Sequence, residues 1–174
     1  MDIVLVRKLG APGQPELALG ALVDGVQPEI VLNDDVVEAL GVPQALIQAE
    51  AERELMTIEQ RRKAYCGDTP RASVAGRTVI LVDDGMATGV SMRAALRAVR
   101  RQGATKIVVA VPVASHEAVA EIGNEVDEVI CPLAPELFGA VGYYYRDFSQ
   151  VEDDEVVRLL DEARQKEGGP AAKA

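Results

Sequence analysis

The run Val79-Ile80-Leu81-Val82-Asp83-Asp84-Gly85-Met86-Ala87-Thr88-Gly89-Val90-Ser91 decides how this 174-residue chain is read. Its first four residues are apolar and predict a buried strand, which ends in two adjacent carboxylates. Ligands in α/β sheets bind beyond the carboxyl ends of the strands, so Asp83 and Asp84 stand where a substrate would lie. A glycine-punctuated turn and the start of a helix follow. Successive amides from Ala87 to Ser91, near the positive end of the helix dipole, form a cradle for a phosphate, and the hydroxyls of Thr88 and Ser91 add donors. One end of the stretch suits a phosphate and the other suits hydroxyls or a metal, so a phosphorylated sugar fits both. A plain buried strand before a capped helix is the simpler alternative. Against it, the apolar strand, the acidic pair, the Thr-Gly and the Ser occur in order without gaps.

Downstream of this run the chain alternates. Val90 to Gln102 reads as a helix closed by Gly103, Lys106 to Val113 as a strand, Ser115 to Ile122 as a helix and Glu128 to Cys131 as a strand. Strands alternating with helices at this spacing predict a parallel sheet with right-handed crossovers. Tyr143 to Phe148 is expected as a short final strand, Glu152 to Lys166 as a helix, and 167–174 as a disordered tail. Upstream, Asp2 to Val6 reads as a buried strand. Leu17 to Val23 and Glu29 to Leu32 read as two strands joined through Asp24-Gly25. Asp34 or Asp35 is expected to cap a short helix ending near Gly41. Pro43 to Tyr65 is a longer helix with Leu46, Ala49, Leu55 and Ile58 towards one face. Cys66 to Gly76 is a polar connection.

Composition narrows the class. Apolar residues make up 48% of the chain and aromatics only 3%, so the core must be built from Val, Ala, Leu and Ile, as in α/β proteins with buried parallel strands. A formal net charge of −10 argues against an extended nucleic-acid surface, which needs clustered Lys and Arg. The start, MDIVLVRKLG, has no signal-peptide pattern, and no run is long enough to span a membrane, so a cytoplasmic setting is expected. Cys66 and Cys131 lack metal-ligand spacing and are expected as buried free thiols.

With these residues in place, the chain resembles the type I phosphoribosyltransferases over Asp2 to about Leu160. The likeness is nearest to adenine-type loops and to a little-characterised bacterial group with a VRKLG strand. The resemblance implies a three-layer α/β/α fold with a mainly parallel sheet, in one domain over 1–166, and a hood over the strand ends at about 11–77. It implies that Asp83 and Asp84 hold the ribose hydroxyls of phosphoribosyl pyrophosphate. Gly85 and Met86 complete the loop, and Ala87, Thr88, Gly89, Val90 and Ser91 hold the 5-phosphate. Magnesium would be bound mainly through pyrophosphate and ribose oxygens. A small-molecule acceptor, usually through a base nitrogen, would displace pyrophosphate by way of an oxocarbenium-like state. Catalysis would then rest on positioning, charge neutralisation and exclusion of water.

The resemblance also suggests roles elsewhere, each with a plainer alternative. Arg7 and Lys8 follow the first expected strand, where relatives bring a basic residue to the pyrophosphate; Arg7 could equally pair with a carboxylate. Pro135 to Gly142 is similar to the loop that holds the base in purine-type members, with one extra residue. Phe138 there would stack on an aromatic acceptor or anchor the loop. Asp147 matches a late acidic residue near pyrophosphate, or is a surface Asp. His116 is expected at a helix start with no catalytic part, and Tyr143, Tyr144 and Tyr145 are assigned no chemistry. Members acting on 6-oxopurines carry an acidic residue where this chain has Ala87, so hypoxanthine and guanine are poor acceptors.

Relatives also begin with a helix, a strand and a pyrophosphate-gripping loop that this sequence does not show. The expectation is an impaired catalyst with unpaired sheet edges, open to closure of the gap, strand exchange in a homo-oligomer, or aggregation. The rival functions are a non-catalytic regulator that binds the same ligand, and a pyrophosphokinase, for which no ATP site is found.

Overall fold

Short connections force the first three strands to pair antiparallel, which separates them from the later βαβ units. The computed structural model describes residues 1–12, 14–25 and 28–167. The expected tail lies outside them, apart from Glu167 at the last helical position. The elements run β1 (Val6–Ala11), β2 (Gln14–Val23), β3 (Glu29–Leu32), α1 (Asp34–Leu40), α2 (Gln44–Cys66), β4 (Thr78–Val82), α3 (Val90–Arg101), β5 (Lys106–Ala110), α4 (His116–Gly123), β6 (Glu128–Ile130) and α5 (Asp153–Glu167). A 3-10 turn, Val141–Tyr144, stands where a final strand was expected. Among the described residues, no helix is long and apolar enough to cross a membrane.

The architecture is mixed α/β with a parallel sheet, but among the described residues half of the strands lie outside that sheet. One sheet has the order β1-β2-β3 and the other β4-β5-β6. In the first, β2 pairs antiparallel with both neighbours; in the second, both pairings are parallel. The first strand starts later than Asp2 because its ladder begins at Val6 opposite Val23. Ahead of it, residues 2–5 are held largely by side chains. The Leu5 amide donates to Asp24 Oδ1 at 3.0 Å and Arg62 Nη1 donates to the Ile3 carbonyl at 2.8 Å. Arg7 and Lys8 therefore lie inside a strand rather than after one.

Each sheet has its own interior. Val79 and Leu81 of β4, with Ile107 and Val109 of β5, pack under Met92, Leu96 and Val99 of α3 and Ile122 of α4. Leu9, Leu19 and Leu22 of the hairpin pack under Ile47, Ala51 and Ile58 of α2. The buried face of α2 matches the expected one at Leu55 and Ile58 and departs from it at Leu46, which is half exposed, and at Ala49, which faces solvent. Steps of four residues from Ile47 to Ala51 and of seven from Ala51 to Ile58 point at the hairpin, whereas Leu46 and Ala49 fall to the side of that stripe. A third cluster joins the halves: Ala94 and Ala98, on a second face of α3, meet Ala21 and Val23 of β2. Cys66 is buried, Cys131 half-buried, and both are free thiols.

Candidate functional site

The run Val79–Val82, expected as a buried strand, forms within β4 but at the edge of its sheet, so Leu81 is buried while Ile80 and Val82 are exposed at 61% and 74%. Beyond its carboxyl end the chain keeps pairing with its neighbour. Met86 makes an isolated parallel bridge with Ala114, its amide donating to the Val113 carbonyl at 3.0 Å. The Ser115 amide donates to the Met86 carbonyl at 2.9 Å. Gly85 fits because nothing larger can: a β-carbon there would lie 2.8 Å from both the Val113 carbonyl oxygen and Val141 Cγ1. Gly89 ends the loop with φ 68° and ψ 2°, a left-handed turn that glycine adopts without strain. Its carbonyl accepts the first bond of α3, from the Arg93 amide at 2.8 Å.

Among the described residues, none of the amides from Ala87 to Ser91 donates to a protein acceptor. They border an open cleft of about 260 Å³, lined by Asp83, residues 85–92 and Val141. Unsatisfied donors at a helix start carry partial positive charge and suit an anion. At the other end, Asp83 and Asp84 are both exposed. Asp83 Oδ1 accepts the Asp84 amide at 3.0 Å. Crowding by the surrounding loop pushes the Asp83 carboxyl above the usual carboxylate range; the Asp84 amide opposes this and the Asp84 charge adds to it. Its solvent contact tempers the effect. Among the described residues there is no cluster of three or more His, Cys, Asp or Glu that could hold a metal by itself.

The structure therefore brings together Asp83, Asp84 and Gly85 to Ser91, and it places the other candidates in surroundings of their own. Arg7 Nε donates to Glu54 Oε2 of α2 at 2.6 Å, the carboxylate pairing that its position also allowed. Lys8 is exposed on β1 opposite Ala21. Phe138 stacks on Tyr144 with centroids 5.8 Å apart and planes at 23°, so its ring anchors a loop. Asp147 is exposed, its Oδ1 taken by the Ser149 amide and hydroxyl at 2.9 and 2.7 Å. His116 is exposed at the first position of α4.

Two residues given no role in the sequence touch the loop directly. The Tyr145 hydroxyl donates to the Asp84 carbonyl at 2.7 Å, and the Ser115 hydroxyl donates to the Ala87 carbonyl at 2.7 Å. A signal for the first was present. Gly139 and Gly142 sit among aromatics, and a β-carbon on either would lie within 3 Å of the ring of Tyr143 or Phe148. That packing favours a compact turn over a strand. A separate groove of about 320 Å³ runs between residues 1–4, residues 71–74 and β4, and shares no lining residue with the loop cleft.

Known proteins are similar to this chain over most of its length. A family model described as phosphoribosyl transferase domain matches residues 30–147. Two Mycobacterium tuberculosis proteins, from strains CDC 1551 and H37Rv, bear the name "Putative phosphoribosyl transferase". Each is 44% identical over 164 residues, covering 94% of this chain and 36% of the relative. The chain thus spans about a third of the length of these curated relatives. The crystal structure of TT1426 from Thermus thermophilus is similar with a TM-score of 0.76 and 45% identity, over 92% of this chain and 75% of that one.

Proposed function

The chain belongs to the phosphoribosyl transferase domain family, and from that premise we propose that it transfers the phosphoribosyl group of phosphoribosyl pyrophosphate to a small-molecule acceptor, most simply a nucleobase other than a 6-oxopurine. The row of unengaged amides from Ala87 to Ser91, one short turn from the Asp83–Asp84 pair, carries this reading. The amides take the 5-phosphate and the carboxylates accept from the ribose hydroxyls, so the sugar is fixed at both ends. Its anomeric carbon is then presented to an acceptor nitrogen. As the new bond to that nitrogen forms, the bond to the pyrophosphate oxygen breaks, pyrophosphate leaves with the electron pair, and the proton carried by the acceptor passes to solvent. Fixing the sugar converts the encounter into an oriented one and supplies most of what the protein can contribute.

The donor set fits magnesium of the kind that keeps several waters and is shared between one or two carboxylates and substrate oxygens. Pyrophosphate and ribose oxygens would supply most of its ligands, with Asp83 and Asp84 at hand beside the ribose, and when bound it would neutralise charge on the leaving group. Residues 1–166 act as one unit in this reading, with 11–77 as a cover over the strand ends.

The Arg7–Glu54 ion pair favours a second reading, a regulator that binds phosphoribosyl pyrophosphate without turning it over, because it engages a cation the leaving group would need. Pyrophosphate release across a panel of nucleobases, with magnesium present, separates the two. Release with any base supports the transferase; tight binding without release supports the regulator. Absence of binding defeats both.

A further inference from the structure

We propose that Ser115 is the positioning residue that aims the phosphate cradle, an inference that rests on the reading of residues 87–91 given above. Ser115 holds two consecutive loop carbonyls at once. Its amide donates to the Met86 carbonyl oxygen at 2.9 Å and its hydroxyl to the Ala87 carbonyl oxygen at 2.7 Å. In a trans peptide the carbonyl and the following N–H point in opposite directions; among the described residues, none of the peptide bonds is cis. Drawing the Met86 and Ala87 carbonyls towards Ser115 therefore turns the Ala87 and Thr88 amides away from it. Two successive amides fixed to one side form an anion-binding concavity. The same hydroxyl oxygen accepts the Ala118 amide at 3.0 Å and caps α4, which fixes the hydroxyl itself. The loop is thus oriented from the neighbouring βα turn. Without the hydroxyl, the Ala87–Thr88 peptide loses that restraint and can rotate, and phosphate binding must then reorder it.

The test uses ribose 5-phosphate as the probe, with calorimetry for affinity and amide NMR for location. In the unchanged chain, ribose 5-phosphate binds and shifts the Ala87 and Thr88 amide resonances. Ser115→Ala weakens that affinity by about tenfold, the equivalent of one hydrogen bond and its ordering. Ser115→Thr, which keeps the hydroxyl, restores affinity to within about twofold of the original. Ser115→Gly guards against misfolding, since glycine is tolerated at a helix N-cap but offers no hydroxyl; it weakens binding as Ala does. If the Ala and Gly variants stay folded and bind as the unchanged chain does, losing only thermal stability, Ser115 is a cap alone and the inference is overturned. If the unchanged chain fails to bind or shifts other amides, the cradle itself is misplaced and the inference falls with it.

Discussion

The Tyr145 hydroxyl reaches back over sixty residues of sequence to donate to the Asp84 carbonyl at 2.7 Å. That bond ties the acidic end of the loop to the aromatic segment, where Tyr145 also packs against Phe148 with centroids 5.2 Å apart. Tyr145→Phe keeps the ring contact and removes only the hydroxyl. The expected result is a stability loss of about 1 kcal/mol, read by denaturant unfolding, and weaker binding of phosphoribosyl pyrophosphate. Unchanged affinity would show that the loop holds its shape without this tether.

Asp83→Asn with Asp84→Asn should preserve the fold, because both side chains are exposed, and should weaken phosphoribosyl pyrophosphate binding by calorimetry. Affinity in the unchanged chain should fall as pH drops through a value above the ordinary 3.8 of Asp, since the Asp83 carboxyl is raised by crowding. The sign for stability is the reverse. A raised folded pKa gives a contribution that is full below the unfolded pKa and lost as pH rises through the folded one. Asp83→Asn alone should therefore not destabilise the protein at neutral pH. A neutral-pH loss in melting temperature would contradict this.

Gly89→Val should cost more than Ser91→Ala. Valine at φ 68° bears backbone strain of about 1–3 kcal/mol, whereas Ser91 offers only one exposed hydroxyl beside several amides. The direction of a β-carbon on Gly89 matters too. It would touch Ile122 at 3.4 Å, under α4, rather than project into the cradle. The damage should thus appear as lower stability together with weaker ribose 5-phosphate binding. Equal protection of both variants by ribose 5-phosphate against heat would count against the assignment.

Arg62 ties α2 to the start of the chain. It donates to the Ile3 carbonyl, to Asp2 Oδ1 at 3.0 Å and to the buried Asp24, which also pairs with Arg71 at 3.2 Å. Arg62→Ala should cost on the order of 3 kcal/mol by leaving Asp24 partly unpaired. Burial alone would raise the Asp2 carboxyl, but bonds from the Ala72 and Ile3 amides and from Arg62 outweigh it and lower the net value. The Asp2 contribution is therefore present above the unfolded pKa and lost as pH falls through the folded one. Acid unfolding of the Arg62 variant should be less steep below about pH 4, an outcome that denaturation curves at several pH values would check.

Glu54→Gln should release Arg7 from its 2.6 Å ion pair. If Arg7 serves the leaving group, pyrophosphate should bind more tightly to the variant. A change in melting temperature with no change in pyrophosphate affinity would make the pair structural.

The loop was legible because its chemistry is local. Strand, acidic pair, turn and helix start follow one another, and each has a backbone reason to be there. The contacts that brace it were not legible, since Ser115 and Tyr145 arrive from distant segments and a lone Ser or Tyr carries no pattern. The separation into two sheets also escaped local reading. Apolar alternation marks a strand but not its partner, and Leu5, read as part of the first strand, is bonded to Asp24 through that residue's amide and its carboxylate, ahead of the β1–β2 ladder. The roles read for Arg7 and Phe138 depended on what lies across from them: Glu54 in one case and Tyr144 in the other.

The contact between the two interiors is made of Ala21 and Val23 against Ala94 and Ala98, with Val6 and Val31 partly buried beside them. Side chains this small present a nearly smooth seam with little interlocking, unlike the Leu and Ile of the flanking interiors. Such a seam resists separation less than either interior resists opening. Amide protons of the β1–β2–β3 hairpin and α2 should then exchange with solvent as one cooperative block, and those of β4, β5 and α4 as another. The helix shared by both, α3, would report whichever block opens first. A binding event on the loop at its amino end would slow exchange in its own block and leave the hairpin block nearly untouched.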